Sequence, residues 1–114
     1  MPVNLATLAE KTVKLSVQIA DDVIQFDYQP YKMTPKFRAL LIGLEADGGI
    51  GEGNKVAVAE MLAQMVAGWD VELNGEPYPP TYDNLVDVPV EILGAVADAI
   101  WSDLGKRAKT ATEG

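Results

Sequence analysis

Residues 11–29 read KTVKLSVQIADDVIQFDYQ, and this stretch decides the fold class. Apolar and polar side chains alternate on both sides of an acidic break at residues 20–22. Such alternation is typical of half-buried β-strands, and the Ala-Asp-Asp break suits a turn. The stretch therefore predicts a β-hairpin over residues 12–29. Two strands alone are only marginally stable, so we expect the rest of the chain, or a partner, to cover their apolar face.

Three later stretches have the apolar spacing of amphipathic helices. Thr34 and Pro35 suit the N-cap and the first residue of a helix over residues 35–46, and Gly48 suits its end. The second and third predicted helices cover residues 54–68 and 89–104. The apolar positions of the three helices are, in order, Phe37, Leu40, Leu41 and Leu44, then Val58, Leu62, Met65, Val66 and Trp69, then Ile92, Leu93, Val96, Ile100 and Leu104. The sequence thus predicts an α+β fold, an N-terminal hairpin followed by three main helices.

The 114 residues fit one domain, which we place at residues 11–105. The tail at 106–114 lacks apolar periodicity, and we expect this tail and the N-terminal residues 1–10 to be flexible. Between the second and third helices, residues 69–89 contain several prolines and an Asn-Gly turn pair, which predicts an extended crossing without regular structure. A single helical turn capped by Thr81 is the exception that we expect there.

The composition excludes most enzyme chemistry. Seventeen Asp and Glu against nine Lys and Arg give a formal charge of −8, and the chain contains neither Cys nor His. Zinc fingers, cysteine nucleophiles and histidine-based triads are therefore excluded, and neither Ser16 nor Ser102 has a recognisable base. We expect no enzyme activity, no metal and no cofactor. The negative charge opposes binding to nucleic acid, and the lack of a signal peptide or a long apolar run predicts a cytosolic protein that does not bind membranes.

A glycine-rich stretch at residues 47–54, DGGIGEGN, invites comparison with phosphate-binding loops. It lacks the Gly-Lys-Ser/Thr ending of a Walker loop, and Asn54 stands where a dinucleotide fingerprint needs its third glycine. We interpret it as a connector between helices, with Asn54 as the cap of the second one.

The C-terminal half contains a set of turn and core residues with a recognisable order. These are GWDV at 68–71, NGEPYPPT at 74–81, NL at 84–85, VP at 88–89, Leu93, and AI at 99–100. This pattern resembles the tail assembly chaperones of long-tailed, siphophage-type bacteriophages. The hairpin and the Thr34-Pro35 helix start are similar as well, so the resemblance covers residues 12 to 104. Val88 stands where the family more often has Leu.

The resemblance implies a chaperone that binds the long helical tape measure protein, keeps it soluble and recruits tail tube protein around it. It also implies action in the cytoplasm of the infected bacterium, absence from the mature virion and self-association in many copies. Members often have a longer, frameshifted form. Position alone suggests the tail from Gly105 to Gly114 as the start of such an extension, and the nucleotide sequence around the codons of Gly105 and Lys106 would test this. Two alternatives stay open: a structural tail or neck component of the virion, and a small acidic regulatory protein that mimics nucleic acid.

For a chaperone of this kind the sequence offers one candidate contact surface. Methionine packs against varied apolar partners because its side chain is flexible and polarisable. The candidate partner-binding residues are the methionines of the second helix and the large apolar residues near them in the predicted pattern: Met61, Met65, Trp69, Leu93, Ile100 and Trp101. Each of them fits a core position better than a contact position, because methionine and other large apolar residues at helical spacing usually fill a core.

Overall fold

The hairpin consists of β1 (Val13–Ile19) and β2 (Asp22–Tyr28). Their register pairs Ile19 with Asp22 and Val13 with Tyr28, so the loop contains only Ala20 and Asp21. Ala20 has a φ of +53°, a left-handed conformation that residues other than glycine seldom adopt. The apolar side chains of both strands share one face, as their alternation predicts, except for Val23, which is exposed on the other face. The computed structural model describes residues 4–46, 48–51 and 53–113, with side chains except those of Leu5 and residues 107–113.

Within these residues the chain has five α-helices and five strands, so it belongs to the predicted class that mixes helices with sheet. The predicted arrangement, a hairpin followed by three helices, is wrong in three respects. A helix, α1 (Leu5–Ala9), precedes the hairpin, and a third strand, β3 (Val66–Trp69), extends its sheet. A second, two-stranded sheet follows. The other elements are a 3-10 turn (Pro30–Lys32), α2 (Pro35–Ala46), α3 (Lys55–Met65), β4 (Glu72–Leu73), β5 (Glu76–Pro77), α4 (Tyr82–Leu85) and α5 (Val90–Glu113).

The second predicted helix ends earlier than expected, because the chain becomes a strand. Val66 has extended dihedral angles (φ −85°, ψ 114°), and β3 pairs antiparallel with β2, placing Trp69 opposite Phe26. Val66 is β-branched and Gly68 is a poor helix former, so both disfavour further helix. The open edge of β2 offers backbone hydrogen bonds instead. The resulting sheet has the order β1-β2-β3.

One hydrophobic core joins the apolar face of this sheet to the long helices. α5 crosses that face, where the hydroxyl of Tyr28 donates a hydrogen bond to the carboxylate of Asp103. Every buried side-chain nitrogen or oxygen in the described part of the chain has a hydrogen-bond partner. The core residues come from β2, β3, the four helices α2 to α5 and the link before α5: Phe26, Tyr28, Phe37, Leu41, Leu44, Val58, Ala59, Met61, Leu62, Met65, Val66, Leu85, Val88, Leu93, Val96, Ala97 and Ile100.

The ends of the chain contain more helix than expected. Asn4 caps α1, since its Oδ1 accepts from the backbone N of Ala6 at 2.9 Å. At the other end, the backbone of α5 stays helical to Glu113, past the predicted end near residue 104. Residues 1–3 and 114, in the two segments expected to be flexible, lie outside the described residues. Among the helices that are described, none combines the length and apolar character needed to span a membrane.

Candidate functional site

Four of the six candidate contact residues lie in the core. Met61, Met65, Leu93 and Ile100 all have a relative exposure of 0%. They are buried because the apolar stripes of α3 and α5 pack into the core shared with the sheet. In this conformation they have no surface to offer a partner, so the predicted patch does not exist as one accessible surface. Only the two tryptophans are half-buried, and their surroundings differ.

Trp69 belongs to a hydrogen-bonded network that holds the crossing between β3 and α5. Its Nε1 donates to the carbonyl oxygen of Tyr78, and the Tyr78 hydroxyl donates to the carbonyl oxygen of Asn84 at 2.9 Å. The Asn84 Nδ2 in turn donates to the carbonyl oxygen of Pro79 at 2.8 Å. Thr81 caps α4 as predicted, because its Oγ1 accepts from the backbone N of Asn84 at 3.3 Å. We call these five residues the Trp69 network.

The neighbouring residues of this crossing are also structural. The Asp70 carboxylate accepts from the backbone N of Gln25 at 2.9 Å and so ties the end of β3 to β2. Asn74 and Gly75 turn the chain between β4 and β5 with φ angles of +54° and +85°. The prediction that prolines prevent regular structure here is wrong at Pro77, which takes part in a two-residue strand. The motif behind the family resemblance therefore consists largely of residues that maintain the fold.

Trp101 lies in a groove between α2 and α5, which we call the α2–α5 groove. Its volume is about 480 Å³, within the range of about 300–1,000 Å³ common for ligand sites. Buried apolar side chains form its floor, and exposed polar ones form its rim. The residues that line it are Leu41, Leu44, Glu45, Gly48, Gly49, Ile50, Gly94, Ala97, Asp98, Trp101 and Ser102.

The glycine-rich connector shapes one wall of this groove. Gly48 and Gly49 have φ angles of +85° and +121°, and the backbone N of Gly49 donates to the carbonyl oxygen of Leu44 at 2.8 Å. This six-to-one hydrogen bond is a Schellman-type ending of α2, as the glycines predicted. The chain then turns toward α5, where Ile50 Cδ1 lies 3.9 Å from the point that a Cβ at Gly94 would occupy. Ile50 thus packs over a position of α5 that has no side chain.

Asn54 fixes the connector from its far end. It occupies the N-cap position of α3, but its side chain makes no capping hydrogen bond, so the predicted capping role is wrong. Its Oδ1 instead accepts from the backbone N of Gly51 at 2.9 Å, and its Nδ2 donates to the carbonyl oxygen of Gly49 at 3.5 Å. An asparagine side chain can bond to both a backbone N–H and a backbone carbonyl of a loop, because its amide both donates and accepts. The connector is therefore held in a defined shape beside the groove.

The polar groups of the groove carry a net negative charge. The Nε1 of Trp101 donates to Oε2 of Glu45 at 3.3 Å, so the indole bridges α5 and α2. Asp98 supplies a second exposed carboxylate, and none of the described residues that line the groove is a lysine or arginine. An apolar floor under two carboxylates favours a ligand that presents apolar side chains flanked by basic ones.

The groove was not predicted from the sequence, although the residues of its α5 wall form a recognisable pattern. Gly94, Ala97, Asp98, Trp101 and Ser102 recur at i, i+3, i+4, i+7 and i+8, which places small residues and one tryptophan on a single helical face. The opposite wall comes from α2 and the connector, and no local pattern shows that these segments pack beside that face.

Comparison with known proteins gives no family assignment. The chain matches no protein-family model, and no curated protein or solved structure is significantly similar to it. Within the described residues, no group of three or more Asp or Glu side chains is placed to hold a metal ion.

Proposed function

We propose that this chain is a bacteriophage tail assembly chaperone, and that its α2–α5 groove binds an amphipathic helical segment of the tape measure protein. Binding keeps that client soluble and allows tail tube protein to assemble around it. The protein acts in the cytoplasm of the infected bacterium and is absent from the mature virion. The observation that carries the proposal is the groove itself, half-open and apolar at its floor with acidic groups at its rim.

The shape and chemistry of the groove support a helical client. An amphipathic helix presents apolar side chains at i, i+3, i+4 and i+7, and helix-in-groove recognition buries such a stripe in an apolar cleft. The groove has room for only a few side chains, so each copy would cover about two helical turns of a long client. Trp101 is the residue best suited to anchor them, because tryptophan is enriched among the few residues that carry most of the binding energy of an interface.

The overall charge supports the proposed role of keeping the client soluble. A long amphipathic helix outside its assembly exposes an apolar stripe that promotes aggregation. Each bound copy covers part of that stripe and adds a formal charge of −8. Like charges on neighbouring complexes oppose their association, so a coated client stays in solution.

A charge reversal on the groove rim tests the site. Asp98→Arg places a long cation at the edge of the groove, whereas Asp87→Arg makes the same charge change at an exposed position outside it. We expect Asp98→Arg to weaken binding of tape measure fragments about tenfold or more, with Asp87→Arg close to the unmodified protein. Isothermal titration calorimetry against overlapping helical fragments measures both. Equal affinities for the two variants would show that the client binds elsewhere.

Co-expression and virion analysis test the role. With the chaperone present, the tape measure protein should remain in the supernatant of a lysate, and without it the protein should sediment. Mass spectrometry of purified virions should detect no stoichiometric amount of the chain. A client that is equally soluble without the chaperone contradicts the chaperone role, and a stoichiometric amount in virions favours the structural tail or neck component.

A further inference from the structure

β1 is an edge strand with one open side. In the three-stranded sheet, β1 pairs along its seven residues with β2, and no backbone hydrogen bond links it to any other described segment. α5 packs against its apolar face, and the side chains of Lys14, Ser16 and Gln18 on the opposite face are exposed. An open edge presents unpaired backbone N–H and C=O groups, which can template pairing with another strand.

Most of the usual protections of an edge strand are missing from β1. Such strands are normally guarded by proline, by charged side chains such as lysine, by a bulge, or by a helix or loop over the edge. β1 has no proline, its only charged residue is Lys14, and its pairing with β2 is regular throughout. Its apolar side chains, Leu15 and Val17 among them, are only half-buried, whereas Phe26 of β2 has a relative exposure of 1%. The apolar side chains of this strand thus pack against the core but stay partly exposed, next to unpaired backbone.

The hairpin geometry determines which residues face the open side. In a hairpin closed by a two-residue loop, the flanking pair, Ile19 and Asp22, exchanges backbone hydrogen bonds, and such pairs alternate along the ladder. The odd-numbered residues of β1 therefore bond to β2. The backbone groups of Lys14, Ser16 and Gln18 point to the open edge.

We propose that β1 pairs antiparallel with β1 of a second copy of this chain, centred on Ser16. In this register Ser16 lies opposite Ser16, and Lys14 lies opposite Gln18. Every residue of the strand then has a strand partner, and the outward groups of the three residues form six hydrogen bonds across a two-fold axis. The two sheets merge into one of six strands.

The side chains are compatible with this register. Because antiparallel pairing around one residue preserves the alternation of faces, Leu15 and Val17 of each copy lie on the same apolar face as their counterparts. The only charged residue of the strand meets a neutral one, so no like charges oppose each other. Just beyond the ladder, Lys11 approaches Asp21 of the second copy with opposite charge. This pairing is independent of the client that the groove binds.

Two opposite charges at one position test the pairing. Ser16 is exposed, so Ser16→Glu and Ser16→Lys leave the core unchanged, but each places two like charges face to face across the two-fold axis. We expect each variant alone to be monomeric by analytical ultracentrifugation and an equal mixture of the two to regain the dimer mass. Gln25→Lys is the matched control, since it adds a charge to the same exposed face on the central strand and should leave the dimer intact.

Single cysteines test the register, because the chain has none of its own. Ser16→Cys brings two thiols to positions with Cα atoms about 5.5 Å apart, whereas Lys14→Cys separates them by about four residues, roughly 13 Å. A short thiol crosslinker should link Ser16→Cys to itself. It should link Lys14→Cys only when mixed with Gln18→Cys.

The outcomes are distinct. A native chain that stays monomeric at all concentrations overturns the proposal, as does a dimer that both Ser16 charge variants retain. A dimer that crosslinks through Lys14→Cys alone overturns the register. Circular dichroism on each variant establishes that a monomer is folded, and none of these results depends on binding of a tape measure fragment.

Discussion

Trp69 and Trp101 are the two tryptophans of the chain. Both donate a hydrogen bond from the indole, but their acceptors and surroundings differ. Both are half-buried, and each donates from Nε1 to an oxygen. Trp69 bonds to a backbone carbonyl inside a network of further hydrogen bonds, whereas Trp101 bonds to the exposed carboxylate of Glu45 at the rim of a groove. Burial does not distinguish the two tryptophans, but the hydrogen-bond acceptor of each indole does. Trp69 maintains the fold, whereas Trp101 is available to a ligand.

The difference affects how the family resemblance is interpreted. The residues that carry it, Trp69, Tyr78, Thr81 and Asn84 among them, bond to one another in the Trp69 network. Such a motif indicates how the chain folds, because its residues use their hydrogen-bonding groups within the molecule. Few of those groups remain for a partner. The groove contributes almost nothing to the pattern. The proposed function therefore depends on tests of the groove.

The largest contrast is expected on truncating each tryptophan. Trp69→Ala removes a large packed ring and leaves the carbonyl of Tyr78 without its donor, so we expect a loss of about 3 kcal/mol in unfolding free energy. Trp101→Ala removes a ring at the groove and should cost about 1 kcal/mol. Urea denaturation followed by far-ultraviolet circular dichroism measures both. Equal losses would contradict the division into a structural and a surface tryptophan.

A gentler pair of substitutions isolates the hydrogen bonds. Trp69→Phe retains a ring but removes the donor to Tyr78, for which we expect a cost of about 1 kcal/mol. Trp101→Phe removes a bond to an exposed carboxylate and should cost less than about 0.5 kcal/mol. Each variant also leaves one tryptophan as the sole fluorescent reporter. Client binding should then shift the emission of Trp101 in the first variant and leave that of Trp69 in the second unchanged.

Two asparagines extend the comparison to the loops. Asn84→Ala removes the hydrogen bond to Pro79 within the Trp69 network, and we expect a cost of about 1 kcal/mol with no change in client affinity. Asn54→Ala frees the connector beside the groove and should cost a similar amount or less, but it should also weaken client binding. Thermal denaturation and calorimetry on the same samples separate the two effects. Unchanged client affinity for Asn54→Ala would mean that the connector does not shape the binding surface.

Local features of this fold were predictable from sequence, and contacts between distant segments were not. Alternation located the hairpin, and Thr34 was correctly predicted as a cap, since its Oγ1 accepts from the backbone N of Phe37 at 3.1 Å. The end of α3 at Met65 was missed because it depends on pairing with a strand some forty residues earlier. Met61 and Met65 fitted a core better than a contact surface, but periodicity alone does not say what covers an apolar stripe.

The acidic rim of the groove is another contact between distant segments that the sequence does not predict. Glu45 and Trp101 are separated by 56 positions and meet only because α2 and α5 pack together. No spacing within either helix indicates this contact. The only local indication of the groove was Trp101 on a helical face of small residues. It indicated the α5 wall of the groove but not the α2 wall.

The smallest effect on stability is expected at Glu45, and it isolates the role of charge in the groove. Glu45→Gln keeps an oxygen that accepts from Trp101 and removes the negative charge, so unfolding free energy should change by less than about 0.5 kcal/mol. If the carboxylate attracts basic residues of the client, affinity should fall and its dependence on salt should weaken, because screening acts on charged pairs. Titrations at low and high ionic strength measure this, with Glu91→Gln on α5 as an exposed control outside the groove. An unchanged salt dependence would assign client recognition to the apolar floor alone.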